Sequence, residues 1–545
     1  MLIALAQINP VVGDIDYNLN RVIEYTEKAK ARNADLVIFS ETVTVGYPAR
    51  DLLDRQELID DNLKAVDEMA KHSNDIGILC GFVERNPFPG EKPLYNAAAL
   101  MHKGKIILKQ HKSLLPDYDV FDERRYYEPA HCVHPVEFKG IKLGITICED
   151  MWTYSPDVSK IYKFDPNNVL TLLGADLLIN LSASPYYYQK PFQRFETIQN
   201  IAKYNKKKFC YVNQVGGNDD LIFDGKSIIV DEEGSILAIA KNFEEDIIFY
   251  DTETGKGDKH NTCEDEIECI YLALLTGLKD YVRKCGFKKV VLGLSGGIDS
   301  TLTAALAAKA LGPSNVIGIS MPGRYSSQGS LDDAKALADN LGIEYHVVPI
   351  DRIFEASLMT IQPENPEPRM DVTEENIQAR IRANIIMSFA NRHNCLALTT
   401  GNKSETAVGY STLYGDMAGG LAVISDLYKC QVYELANFIN RKENNVIPYN
   451  TIIKPPSAEL RPNQQDKDSL PEYNLLDKIL KDYIESDLTL NELCEKYDKK
   501  LVLEILKKVD YSEFKRRQAA PGLKISARAF GSGRRLPIAQ GYKWR

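Results

Sequence analysis

The feature that most limits how this chain can fold is a recurring one. Short runs that are apolar at nearly every position alternate with longer stretches of helical character. Residues 36–40, 76–82, 141–147, 176–181 and 209–213 form such runs in the first half, and residues 290–294, 316–320, 344–348 and 396–400 in the second. A continuous apolar run of this length suits a strand covered on both faces by helices or by another sheet. Residues 18–32, 57–72, 299–311, 330–341 and 373–392 carry the helical pattern between them. The alternation predicts an α/β protein built in layers. In the first half, residues 227–230 and 235–240 flank Glu232-Glu233-Gly234 and read as a hairpin. The polar, glycine-containing stretch 251–266 reads as a linker. Two domains are therefore expected, 1–250 and 267–545. The regular strand–helix–strand units of the second predict an open parallel sheet with helices on both faces.

Length and charge narrow the function class. A chain of 545 residues is too long for one core. Its net charge of -10 makes nucleic acid or an anionic membrane an unexpected partner. The 10 cysteines form no CxxC pair, which argues against a zinc ribbon and a disulfide scaffold and for a reducing compartment. The start of the chain lacks a basic segment before its short apolar run, and no stretch is long and apolar enough to span a bilayer. A cytoplasmic enzyme with small-molecule substrates is the expectation.

Three reactive side chains stand at or just beyond predicted strand ends: Glu41, Lys112 and Cys148. A cysteine attacks an amide as a thiolate, so it needs a base for its proton and a cation for the oxyanion that follows. Taken singly, each residue has a blander reading, since a cysteine after a strand is usually a small core hydrophobe. Lys109 is the rival for the cation.

In the second half, Ser295-Gly296-Gly297-Ile298-Asp299-Ser300 links the strand at 290–294 to an alanine-rich helix. Glycines there let backbone N–H groups and a helix N-terminus face phosphate oxygens. The spacing is neither that of a Walker A loop nor GxGxxG. Asp299 suits an anion cradle only with a cation beside the phosphates, and Mg2+ would supply it.

These segments resemble known families. Glu41, Lys112-Ser113-Leu114-Leu115-Pro116 and Cys148-Glu149-Asp150-Met151-Trp152 resemble the nitrilase superfamily, more closely the glutaminase domain of long NAD synthetases. The glycine loop resembles that of N-type ATP pyrophosphatases. Met321 to Ser327, Glu375-Asn376-Ile377-Gln378-Ala379-Arg380, Thr399 to Glu405, Gly409 to Asp416 and Lys515-Arg516-Arg517-Gln518 are similar to NAD synthetase segments. Ala130 and Gly323 depart from the usual residues. The resemblance implies a nitrilase-like α-β-β-α sandwich followed by a Rossmann-like parallel sheet. It implies Glu41 as base, Lys112 as oxyanion stabiliser, Cys148 as nucleophile and Glu123 as a supporting glutamate. Tyr118, Ser184 and Lys190 would hold glutamine. Gly293, Leu294, Ser295, Gly296, Gly297, Ile298, Asp299, Ser300, Thr400 and Lys429 would hold ATP, and Asn376, Arg380, Glu405, Asp416 and Lys515 deamido-NAD. Asp299 and Glu405 would hold Mg2+, which leaves Glu405 with two roles open. The reaction implied is ATP-dependent amidation of deamido-NAD through an adenylated intermediate. Glutamine supplies the ammonia through a buried passage, in a homo-oligomer with no tightly bound organic cofactor.

Overall fold

The structure, a computed structural model, describes residues 1–155, 161–362, 371–462 and 464–544. The chain divides into two units, Met1–Glu266 and Ile267–Arg545.

The first unit contains two six-stranded sheets. One runs in the order Asp246–Asp251, Leu2–Gln7, Leu36–Ile38, Gly77–Arg85, Leu94–His102, Lys105–His111. The other runs Ile236–Ile239, Ile228–Val230, Lys208–Asn213, Leu177–Ser182, Ile141–Ile147, Val136–Phe138. Strand alternation explains the layering. Ile3, Leu5, Leu36 and Ile38 point inward and meet Ile145, Ile147, Ile179 and Leu181 of the facing sheet. Ala4, Ala6, Val37 and Phe39 point outward and are covered by Val22 and Tyr25 of helix Ile15–Ala31 and by Val66 and Met69 of helix Gln56–Lys71. On the far side, helices Pro166–Leu172 and Lys190–Asn205 cover Leu178, Phe209 and Tyr211. Both faces of the central strands are therefore buried, which is why these strands read as nearly unbroken apolar runs, while the edge strand Lys105–His111 is largely exposed or half-buried. The result is an α-β-β-α sandwich. Residues 251–266 are partly bonded back onto it: Asp258 N–H donates to Phe249 O and His260 N–H to Ile239 O, each at 2.9 Å.

The second unit is built on a five-stranded parallel sheet in the order Glu344–Val347, Val316–Ser320, Lys289–Gly293, Cys395–Thr399, Leu421–Ala422. The chain starts at the central strand, steps outward twice, then returns to its other side. That reversal, between Lys289–Gly293 and Cys395–Thr399, is the place where α/β sheets bind ligands. Helices Ile298–Leu311 and Val372–His393 follow and precede these two strands. Among the described residues no helix is long and apolar enough to cross a membrane.

Candidate active sites

In the first unit the three reactive residues converge. Glu41 follows strand Leu36–Ile38, Lys112 follows Lys105–His111, and Cys148 follows Ile141–Ile147. Gly81, on the neighbouring strand, makes room for Glu41. A Cβ there would lie 2.2 Å from Thr42 N and 2.7 Å from Glu41 Cα. One oxygen of Glu41 accepts from Asn96 Nδ2 and from Lys112 Nζ, both at 2.7 Å, and the other accepts from Ala183 N–H at 2.9 Å. Lys112 Nζ also donates to Glu123 Oε1 at 2.8 Å, an oxygen shared with Tyr47 OH at 3.0 Å. The ammonium is thus gripped between two buried carboxylates, with no exposure of its own. Burial opposes its charge, but Glu123 and Glu41 outweigh burial and hold it well above the ordinary lysine range. Glu123 also shifts up, but for it the shift favours the neutral form: burial pushes its carboxyl up to about 7 in spite of Lys112. Its second oxygen has no hydrogen-bond partner among the described residues.

Cys148 opens the turn Cys148–Tyr154 with φ +42°, a left-handed value uncommon for a residue with a Cβ. Burial pushes its thiol well up, Glu41 adds to the shift, and Lys112 opposes it. The sulfur is therefore protonated until a base takes the proton. Lys109, the rival cation, pairs with Glu84 and is 42% exposed; it belongs to the surface.

The expected glutamine-holding residues have definite partners. Tyr118 OH donates to the two oxygens of Glu149, at 2.9 and 3.1 Å, and Tyr162 OH donates to one of them at 3.0 Å. Lys190 Nζ lies 3.9 Å from the centre of the Trp152 ring, and burial lowers its pKa to about 8. Ser184 N–H donates to Asn213 Oδ1 at 2.9 Å. Glu149, next to the nucleophile, was visible in the Cys148 motif but given no role in the sequence reading. Asn96, Ala183 and Tyr162 carried no local signal.

In the second unit the loop 293–300 lies at the sheet's switch point. Gly296 has φ +74°, and a Cβ there would sit 2.2 Å from Ser330 O, so only glycine fits. Gly297 N–H donates to Ser295 Oγ at 3.2 Å, and Ser300 Oγ lies 3.1 Å from Ser295 Oγ. A cavity of about 290 Å³ has an apolar wall of Leu294, Ile319, Met321, Ile386 and Leu398 and is also lined by Gly293, Ser295, Ser300 and Thr400. A second cavity of about 360 Å³ carries the charged side chains of Asp299, Glu405, Lys429 and Lys515 and is also lined by Gly297, Ile298 and Asn376. Ser295, Ser300, Thr400, Thr412 and Asp416 border both. An apolar slot opening onto a polar chamber beside a glycine loop suits a nucleotide's base and its phosphates.

Lys429 Nζ donates to Asp299 Oδ2 and, at 3.0 Å, to Glu405 Oε1. Asn402 Nδ2 donates to the other Asp299 oxygen at 2.9 Å. Burial pushes Glu405 up to about 7 against the pull of Lys429. Burial opposes the Lys429 charge, but Asp299 and Glu405 raise it well above its usual range. Two carboxylates thus converge on one point with the hard oxygen donors a divalent cation takes. Among the described residues no group of three His, Cys, Asp or Glu could hold a metal. The donor set fits Mg2+ that draws its remaining ligands from phosphate oxygens and water.

Asn376 Oδ1 accepts from Thr412 Oγ1 at 2.8 Å. Asp416 accepts from Thr412 N–H at 2.6 Å, and burial pushes its carboxyl up to about 6. Lys515 Nζ donates to Gly409 O and Ser411 O, both at 2.7 Å. Arg380 is exposed, donates from Nε to Leu413 O at 3.2 Å, and lines neither cavity. Arg382, two residues on, lines the first cavity instead. Its Nε donates to Met321 O at 3.0 Å, and burial lowers its pKa to about 10. The sequence reading missed Arg382 and also Glu459, which lines the same cavity.

Comparison with known proteins matches each unit to a family. A carbon-nitrogen hydrolase model matches residues 2–256 and an NAD synthase model matches residues 270–519. The chain is 41% identical to a glutamine-dependent NAD(+) synthetase of Thermotoga maritima, with 99% of each chain covered. It is 45% identical to that of Synechocystis sp., again with 99% of each covered. Among solved structures, it resembles the glutamine-dependent NAD+ synthetase of Acinetobacter baumannii in complex with ADP. That pair has a TM-score of 0.77, 40% identity and 98% of each chain covered. A second structure, from Cytophaga hutchinsonii, shares the fold at TM-score 0.84 and 23% identity, with 99% of this chain and 98% of that one covered.

Proposed function

The chain belongs to the glutamine-dependent NAD+ synthetases, with a glutaminase unit and an NAD synthase unit, and from that premise we propose how its residues divide the reaction. Glutamine binds near Tyr118, Ser184, Lys190 and Glu149. Cys148 passes its thiol proton to Glu41, and its sulfur attacks the side-chain amide carbon. Lys112 Nζ stabilises the negative charge that forms on the amide oxygen. Glu41 returns the proton to the departing nitrogen, and ammonia leaves a thioester. Glu41 then takes a proton from water, which attacks the thioester and releases glutamate and the free thiol.

In the second unit the apolar slot takes the base of ATP, and the loop 295–300 faces its phosphates. Asn376, Asp416 and Lys515 hold deamido-NAD so that its nicotinate carboxylate attacks the α-phosphorus, and pyrophosphate leaves. Lys429 and the N–H groups of the loop offset the charge on the leaving group. Asp299 and Glu405 would hold Mg2+, which supplies charge neutralisation on the phosphate oxygens. Ammonia then attacks the acyl carbon of the adenylated intermediate, and AMP departs to give NAD+. A carboxylate is unreactive towards ammonia without such activation, which gives the fusion of the two units its chemical sense.

The observation that carries this reading is the grip of Glu41 and Glu123 on Lys112 beside Cys148. Its test is NAD+ formation from deamido-NAD, ATP and Mg2+ with either glutamine or ammonium. Cys148→Ala is expected to abolish the glutamine-driven reaction and to keep the ammonium-driven one within twofold. Glutamine-driven turnover that survives in Cys148→Ala would sink the assignment of the nucleophile. If the parent forms NAD+ from neither nitrogen source, the substrate assignment fails.

A further inference from the structure

One buried carboxylate lies between two parts of the glutaminase site without belonging to either. Asp150 is 1% exposed and stands two residues after Cys148. Its Oδ1 accepts from Ser113 N–H at 3.0 Å and from Leu114 N–H at 2.8 Å, the two residues that follow Lys112. Its Oδ2 accepts from Ile147 N–H at 2.9 Å, the residue that precedes Cys148. The backbone C=O of Asp150 accepts from Asn167 Nδ2 at 2.8 Å, which anchors the turn to helix Pro166–Leu172. The three N–H groups can only donate, so they favour the ionised carboxylate, which accepts on both oxygens. Burial works against that form and pushes the carboxyl up to about 7, with the N–H groups and Lys112 pulling it back. A buried side chain with both oxygens spent on backbone N–H groups serves the geometry of that backbone.

We propose that Asp150 is a positioning residue of the glutaminase: its carboxylate ties the loop that carries Lys112 to the turn that carries Cys148. The inference rests on the roles given above to Glu41, Lys112 and Cys148. Asp150 touches none of the reacting atoms; it fixes where the ammonium stands relative to the sulfur, and so where the oxyanion forms. The strained backbone of Cys148, with φ +42°, needs such an anchor on its N-terminal side. A neutral amide cannot replace the carboxylate. If the oxygen of an asparagine accepts from Ser113 and Leu114, its NH2 faces Ile147 N–H, donor against donor. The flipped amide moves the conflict to the other side. Either way one of the two segments is released, and a displacement of ~1 Å at a catalytic group costs on the order of 100-fold in rate.

The test uses Asp150→Asn in the full chain. The expected result is a fall of about 100-fold in kcat for glutamine hydrolysis, with KM for glutamine within about threefold of the parent. Alkylation of Cys148 by a chloroketone analogue of glutamine should slow by a similar factor. Ammonium-driven NAD+ formation should stay within twofold, which shows that the chain has folded. A kcat within threefold of the parent overturns the proposal. So does a loss carried by KM with alkylation unchanged, because that is the signature of a binding role. Hydrogen exchange in the parent gives a second measurement that needs no variant: the amides of Ser113, Leu114 and Ile147 should be protected, and exchange at the rate of open loops overturns the proposal. Cys148→Ala run alongside separates the two readings, since glutamine hydrolysis that survives in it refutes the nucleophile and not Asp150.

Discussion

Lys112→Met removes the ammonium and little of the side-chain volume, and its effect on stability can be worked from the geometry. Glu41 Oε1 and Glu123 Oε1 accept from the same Nζ at 2.7 and 2.8 Å, so they lie at most about 5.5 Å apart. Two unit charges at that distance repel by about 3 kcal/mol at an effective dielectric of ~20. The other route is to protonate one carboxyl. Relative to a model carboxyl that titrates near ~4.3, this costs about 5 kcal/mol at pH 8. Both routes give a deficit of about 3–5 kcal/mol, the range expected when one partner of a buried pair is removed. The deficit should narrow in acid. Glu123 titrates at about 7 in the parent, above its unfolded value, so the folded protein binds the extra proton and stability falls as pH rises towards 7. Without Lys112, which holds Glu123 down, the pair takes up its proton above pH 7, so the variant begins to gain stability higher in the interval from pH 8 to 5 than the parent does. The deficit narrows by up to about 1 kcal/mol. Urea unfolding followed by fluorescence at the two pH values measures it. A deficit under 1 kcal/mol at pH 8, or one that widens in acid, would refute the two-carboxylate grip.

Two further substitutions probe the sites separately. Glu41→Gln keeps the shape of the side chain but cannot take the thiol proton, and glutamine-driven synthesis should fall by at least about 1000-fold while the ammonium-driven rate holds; assay with both nitrogen sources checks it, and retention of a tenth of the glutamine rate would remove Glu41 as base. Gly296→Ala places a Cβ 2.2 Å from Ser330 O at φ +74°. It should cut NAD+ formation from either nitrogen source by at least about tenfold through strain of ~1–3 kcal/mol in the loop, while glutamine hydrolysis, measured as glutamate release, continues.

What could be read from the sequence, and what could not, follows from the range of each interaction. The central strands are legible because burial on both faces leaves few polar positions in the run, whereas the edge strand Glu344–Val347 has no buried residue and reads Glu-Tyr-His-Val. Glu41, Lys112 and Cys148 were visible as reactive residues at strand ends, and the glycine loop as a strand–helix junction. Their neighbours were not. Asn96 and Ala183 reach Glu41 from 55 and 142 residues away, and local pattern carries no record of which strands lie side by side. Arg380 and Arg382 look alike as Arg-Ile-Arg on a helix, yet a step of two residues turns a helix by about 200°. Only the second faces the cavity. Residues 251–266 offered polar composition alone, whereas the bonds from Asp258 and His260 to the first unit use backbone that composition does not report.

The two sites share an electrostatic plan that bears on how each is switched on. Each holds one lysine between two carboxylates, Lys112 between Glu41 and Glu123, and Lys429 between Asp299 and Glu405. In each, one carboxyl is pushed up to about 7 by burial. Fully ionised, either trio carries one net negative charge, and one proton cancels it. The same arithmetic has opposite consequences in the two places. Beside Cys148 a negative trio disfavours the thiolate and keeps the sulfur protonated. Beside the glycine loop a negative trio would repel a polyphosphate. Asp299 and Glu405 would hold a divalent cation there, which would supply the positive charge that offsets that sign, with Lys429 beside it.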